Sequence, residues 1–241
     1  MRRKIRIAGW SMVWSGIFLL AFAGWQLYGT GISTARAQTE ARAVLADTFE
    51  QRRAEPVQPK LVTVATSVSA GTTTVTNPTP EPVELYPEDP VPEGEPFGVI
   101  RIPKIGLDVA IFEGVDPETL KKGPGHMPWT PLPGQPGNAV ISGHRTTYGA
   151  PFFDLDLLEP GDIIEVETAI GLHRYEVRET IIVDPTDVWV TENRRGAWLT
   201  LTTCAPKYSA RQRLIIFAEL VEGPNYEFAQ AAVEAFLQDV G

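Results

Sequence analysis

The chain has 241 residues, enough for one domain of ordinary size plus appendages. Its formal net charge of −9 is unevenly spread: residues 1–53 hold eight Lys/Arg against three Asp/Glu, and everything beyond them is acidic. That acidity argues against nucleic acid as a partner, because phosphate binding needs Lys/Arg to displace counterions. A single cysteine excludes an internal disulfide.

The first six residues include Arg2, Arg3, Lys4 and Arg6, and residues 7–28 then run without a charge through Trp10, Trp14, Ile17, Phe18, Leu19, Leu20, Phe22 and Trp25. As a helix rising about 1.5 Å per residue, such a run is about 33 Å long, against a bilayer core of about 30 Å. The expectation is a transmembrane signal anchor over 7–28 behind a cytoplasmic basic tail of residues 1–6. The barrel-forming remainder is then extracytoplasmic, by the rule that basic flanks stay inside. A cleaved signal peptide is the competing reading, since Ala35-Arg36-Ala37 resembles a cleavage site. That tripeptide lies well past an apolar run that is itself long for a signal peptide.

Residues 29–53 read as a juxtamembrane helix with Leu45 and Phe49 on one face. Composition changes at Ala54. The stretch 54–96 holds nine of the 21 prolines, a Ser/Thr/Val/Gly tract and an acidic tract. It reads as a Pro/Thr/Glu-rich linker that spaces a folded domain from the membrane.

From Phe97 the pattern alternates as in strands. Candidate strands are 98–102, 107–112, 139–142, 162–168, 173–183, 198–203 and 213–221, separated by Gly- and Pro-rich turns, with short helical turns at 116–121 and 152–158. Seven or eight short strands with few helices predict a mainly β fold, a closed or nearly closed barrel over 97–223. Residues 224–241 predict a C-terminal helix whose Phe228, Ala232, Phe236 and Val240 would face the barrel.

Cysteine catalysis needs a thiolate, a proton donor for the leaving group and a partner for the oxyanion. The thiol can only be Cys204, at the end of the run Leu199-Thr200-Leu201-Thr202-Thr203-Cys204. His144 ends another apolar run, Val140-Ile141-Ser142-Gly143, and a strand end is a rigid mount for a functional group. Arg213 lies just downstream of Cys204, within reach across a hairpin-like connection, and its forked donors suit an oxyanion or a substrate carbonyl. Of the other histidines, His173 reads as a surface strand residue and His126 as a solvated or loop-fixing residue. One cysteine and three scattered histidines lack metal-ligand spacing, and no phosphate or dinucleotide motif occurs, so no metal and no cofactor are expected.

The segments Gly123-Pro124-Gly125-His126, Leu132-Pro133-Gly134-Gln135-Pro136-Gly137-Asn138, Gly143-His144-Arg145-Thr146-Thr147-Tyr148-Gly149-Ala150-Pro151-Phe152 and Leu201-Thr202-Thr203-Cys204-Ala205-Pro206 followed by Arg213 resemble the sortases. The wording is most similar to the class E sortases of actinobacteria, and the resemblance covers roughly 97–221. It implies an eight-stranded sortase-type β-barrel and a membrane-anchored cysteine transpeptidase. Cys204 would be the nucleophile, His144 the general acid and base, and Arg213 the oxyanion or substrate-positioning residue. The substrate would be a surface protein bearing a C-terminal LPxTG or LAxTG sorting signal, cleaved between Thr and Gly. The acceptor would be an amine of peptidoglycan precursor or of a pilin. The residue after the cysteine departs from the pattern: class E sortases often carry histidine there, and this chain has Ala205. Two other readings share these residues, a cysteine protease that only hydrolyses and a non-catalytic sortase-fold binding protein.

Overall fold

A computed structural model describes residues 2–25, 29–63 and 82–240. Two helices open the chain, α1 (Arg2–Gly24) and α2 (Thr30–Ala54). On α1 the large apolar side chains Ile7, Trp10, Trp14, Ile17, Phe18 and Leu20 all stand exposed. Among the described residues, no helix is long and apolar enough to cross a membrane. Residues 26–28, the end of the expected anchor, lie outside the described set.

Strands β1 (Lys60–Thr63) and β2 (Pro82–Leu85) pair antiparallel as a separate ribbon. The middle of the expected linker, 64–81, lies outside the described residues. The barrel follows: β3 (Pro96–Ile102), β4 (Leu107–Glu113), helix α3 (Pro117–Lys122), β5 (Gly125–His126), β6 (Gly137–Ser142), β7 (Ile163–Thr168), β8 (Gly171–Val183), β9 (Ala197–Ala205) and β10 (Gln212–Glu222). These eight strands close in the order β10-β8-β7-β3-β4-β5-β6-β9. Helix α4 (Tyr226–Val240) ends the chain and buries Phe228 and Ala229; the side chains of Phe236 and Val240 lie outside the described residues.

All seven expected strands are present within a few residues of their expected ends. The eighth, β5, is two residues long and carries no periodicity to read. Alternation sets the barrel wall. Ala139, Ile141, Leu199, Leu201, Leu214 and Ile216 point into one core with Ile100, Ile102, Ile164 and Tyr175. The intervening positions of β10, Ile215 and Phe217, face outward and are covered by Val190 from the β8–β9 connection.

Helix α2 packs directly on the outside of the barrel. Ala41 and Leu45 bury against Val99, Ala110 and Phe112. Gln38 acts as an inserted peptide unit: its Nε2 donates to the carbonyls of Ala110 (3.1 Å) and Lys122 (3.0 Å), and its Oε1 accepts from the Ala110 N–H (2.7 Å). The expected spacer therefore does not stand between the first helices and the barrel. Helix α2 lies on the barrel wall, and β1 and β2, the described ends of the expected linker, pair with each other. Tyr86, just beyond β2, is held to Asn225, whose Oδ1 accepts from the Tyr86 N–H at 2.7 Å.

His173 is fully buried, contrary to its expected place on the surface. The alternation reads correctly, but two close turns fold over it. A Cβ on Gly134, which has φ +85°, would sit 2.1 Å from the His173 ring, and one on Gly223 would sit 2.8 Å away. His126 is buried too and fixes its loop. Its Nδ1 lies 2.8 Å from Glu113 Oε2, and its Nε2 lies 3.0 Å from both the Pro131 carbonyl and the Thr130 hydroxyl.

Candidate active site

Three strand ends bring the expected residues together. Strands β6 and β9 run parallel, with Ser142 opposite Thr202, and the Gly143 N–H continues the ladder to the Thr202 carbonyl at 3.1 Å. His144 and Cys204 each lie two residues past that pair, on the same side of the sheet. Strands β9 and β10 are antiparallel, and Cys204 pairs directly with Arg213. Since Ala205 points into the core, Cys204 must point outward, onto the face where Thr202 and Ile215 also stand. Ala205 is 3% exposed. The position after the cysteine is thus a core position in this chain, which fits alanine.

The floor of this face is roofed on one side by the β8–β9 connection, which Asn138 anchors. Asn138 Nδ2 donates to the carbonyls of Val190 (3.1 Å) and Glu192 (3.0 Å), and its Oδ1 accepts from the Thr200 hydroxyl at 2.7 Å. Arg194 of that connection lies 3.7 Å from the centre of the Phe217 ring, a cation–π contact that holds the roof down.

Cys204 is partly exposed and its thiol is free. His144 is half-buried, and its ring packs on Tyr148 with centroids 4.9 Å apart. Burial holds the imidazole below its ordinary value of 6.5. Arg213 gives one Nη1 to the carbonyls of Ala210 (2.9 Å) and Gln212 (3.0 Å). A guanidinium has five N–H donors, so most of its fork stays available to a ligand. Among the described residues no His/Cys/Asp/Glu group is arranged to hold a metal ion.

The loop after His144, part of the 143–152 segment that carries the family resemblance, has a conformation that the sequence does not reveal. Tyr148, Gly149 and Ala150 all have positive φ (51°, 75° and 46°), so the loop is sharply folded and returns Phe152 beneath Gly143. The Phe152 N–H donates to the His144 carbonyl at 3.2 Å. A Cβ on Gly143 would lie 2.6 Å from the Phe152 ring, so only glycine fits before the histidine. Arg145, next to His144, is 4% exposed and ion-paired to Asp156 at 2.8 Å. The sequence pattern gives no sign of this ion pair, which forms only when the loop after His144 folds back.

Comparison with known proteins agrees with this architecture. Residues 100–221 match the sortase domain family. Sortase D of Bacillus subtilis (strain 168) is 30% identical over 211 residues, which cover 86% of this chain and 94% of that protein. Sortase SrtE1 of Streptomyces coelicolor is 33% identical over 145 residues, covering 54% of this chain and 41% of that protein, so the match spans under half of that relative. Among solved structures, sortase E from Streptomyces avermitilis is 37% identical with a TM-score of 0.50, over 55% of this chain and 91% of that one. With the barrel, the cysteine strand and the histidine strand end falling inside the matched span, the chain belongs to the sortase family of cysteine transpeptidases and is most like class E.

Proposed function

We propose that this chain cleaves a C-terminal sorting signal of the LPxTG or LAxTG type between Thr and Gly and transfers the upstream protein to a primary amine. The observation that carries the reading is the register of the strands: Cys204 pairs directly with Arg213, and His144 and Cys204 each follow the last β6–β9 pair, Ser142 and Thr202, by two residues.

The chemistry follows from the groups. The Cys204 sulfur, as thiolate, adds to the threonine carbonyl carbon. Arg213 donates to the oxygen as it gains negative charge, or holds the substrate backbone beside it. The C–N bond to glycine breaks, the glycine amine leaves with a proton from His144, and a thioester remains on Cys204. An incoming amine, from peptidoglycan precursor or from a pilin lysine, attacks the thioester. It gives a proton to His144, forms the new amide and frees the sulfur.

The same reading places the N-terminus in the cytoplasm, residues 7–28 in the membrane as a single-pass anchor and the barrel outside the cell. The basic cluster Arg2, Arg3, Lys4 and Arg6 ahead of the uncharged run supports that orientation, and the exposed apolar side chains of the run support its insertion.

The test is product identity. The full chain is mixed with LPxTG and LAxTG peptides, with and without a glycine or lysine-like amine, and masses are read. The expected result is an adduct on Cys204 and an amide product that needs the amine, both lost in Cys204→Ala. Cleavage to the free acid regardless of amine would make the chain a hydrolase. Undiminished surface attachment of proteins by Cys204→Ala would make it a binding protein.

A further inference from the structure

The two strand ends that carry His144 and Cys204 are tied to each other twice, and the ties are reciprocal. The residue before the cysteine binds the residue before the histidine: the Thr203 hydroxyl donates to the Gly143 carbonyl at 2.7 Å. The residue after the histidine reaches the cysteine itself: Arg145 Nη1 lies 3.5 Å from the Cys204 carbonyl. The same guanidinium donates from Nε to the Phe153 carbonyl at 2.7 Å, and its Nη2 pairs with Asp156 at 2.8 Å.

These contacts use three separate N–H groups of one rigid plane. They join the backbone of the cysteine strand, the far end of the loop that follows His144 and the Leu155–Leu157 turn. The loop that follows Cys204 is fastened to the same turn from its other side. Lys207 pairs with Asp154 at 2.9 Å and with Asp156 at 3.4 Å, and its ammonium lies 4.2 Å from the centre of the Phe153 ring. Asp156 is therefore shared between Arg145 and Lys207, one from each of the two flanking loops.

A lysine could not substitute for the arginine here. Its ammonium is a point donor, whereas the observed contacts need a flat group spanning two carbonyls and a carboxylate. A charge this deeply buried also needs those partners, because unpaired burial of a guanidinium is costly. The arrangement does more than fill the core. It fixes the main chain at Cys204 relative to the main chain at His144, and so sets whether the sulfur and the proton donor can reach the two sides of one scissile bond.

We propose that Arg145 is a positioning residue for the transpeptidation reaction: it holds the Cys204 carbonyl and the His144 loop in one frame, with Asp156 orienting its guanidinium. This rests on Cys204 and His144 being the reacting pair, as proposed above.

The experiment measures steady-state transpeptidation and thermal melting of the full chain for wild type, Arg145→Lys, Arg145→Gln, Asp156→Asn and Cys204→Ala. A misplacement of about 1 Å at a reacting pair can cost about a hundredfold in rate. The expected result is that Arg145→Lys and Arg145→Gln lower kcat by about ten- to a hundredfold, with KM held within about twofold. Asp156→Asn, which leaves both carbonyl contacts in place, should show a smaller loss of the same kind. Melting well above the assay temperature establishes that the loss is not unfolding. If Arg145→Gln does not fold, Arg145→Lys and Asp156→Asn decide the matter. Wild-type kcat in both of those variants, or a change confined to KM, would overturn the inference. Cys204→Ala keeps the two readings apart: transfer that survives it sinks the assignment of the nucleophile, whereas loss of transfer there with full activity in Arg145→Lys sinks only the role of Arg145.

Discussion

At the scale of single residues, His144 is the most informative group. Its half-burial, with Tyr148 packed on its ring, disfavours the imidazolium and lowers its titration below 6.5. The pH profile of kcat/KM should be bell-shaped, with the limb that belongs to His144 below pH 6.5. Tyr148→Ala opens the ring to water and should move that limb back toward 6.5. A limb that stays put would show that Tyr148 does not shield the histidine. Gly143 makes a different point. Phe152 is fully buried and has nowhere to retreat, so Gly143→Ala should cost about 1–3 kcal/mol, seen as a lower midpoint in urea, with activity falling further because His144 is the next residue. Cys204, His144 and Arg213 were legible in the sequence because each sits where an apolar alternation stops. Arg145 was not: its role lies in who meets it, and its partners Phe153, Asp156 and Cys204 are brought together only by folding.

At the scale of elements, the returning segment after β2 carries a carboxylate into the lower end of the barrel. Glu88 accepts from the Ala169 N–H at 3.1 Å, while its other oxygen is buried without a partner among the described residues, as is His173 Nδ1. Burial pushes Glu88 up to about 7 from an ordinary 4.5, and pushes His173 down to about 4 from 6.5. The two act in opposite senses. A carboxyl with a raised folded value gives stability that is present below 4.5 and lost as pH rises through 7. An imidazole with a lowered folded value gives stability that is present above 6.5 and lost as pH falls through 4. Over pH 4–7 the two slopes largely cancel in the wild type. Glu88→Gln removes one of them, so its stability should climb with pH across that window by an amount of order 3 kcal/mol, measured as chemical denaturation at each pH. Parallel curves for variant and wild type would show that folding does not shift the titration of Glu88. None of this was visible beforehand, because strand alternation assigns His173 a face but not the turns at Gly134 and Gly223 that seal it.

At the scale of the whole molecule, the barrel was legible because alternation, Gly/Pro turns and motif order agreed. Strand β5 escaped because two residues have no period, and α2 was read as a helix without any sign of where it docks. Its docking is a matter of shape: Leu45 and Ala41 meet an outward apolar patch of β3 and β4 that alternation alone would assign to solvent. Leu45 is 2% exposed, so Leu45→Ala should destabilise the barrel by about 2–5 kcal/mol, read from the shift of a single cooperative melt. A barrel melt unchanged by that substitution would mean the helix is an attachment and not part of the folded unit.

The docking of α2 changes how the site explores its surroundings. A flexible tether of the length of 54–96 would let the catalytic face wander through every orientation, with a mean reach of about 36 Å. A helix of 25 residues is a strut of about 38 Å, comparable in length but fixed in direction. Bolted to the barrel wall by Leu45, Gln38 and Arg42, it makes the barrel turn as one body with the helix. The face at Cys204 is then held at a fixed angle to that helix. Were the start of α2 itself held fixed, the acceptors within reach of that face would be decided by angle as much as by distance, and the amines it samples would be those of one sector of space, not of the full sphere.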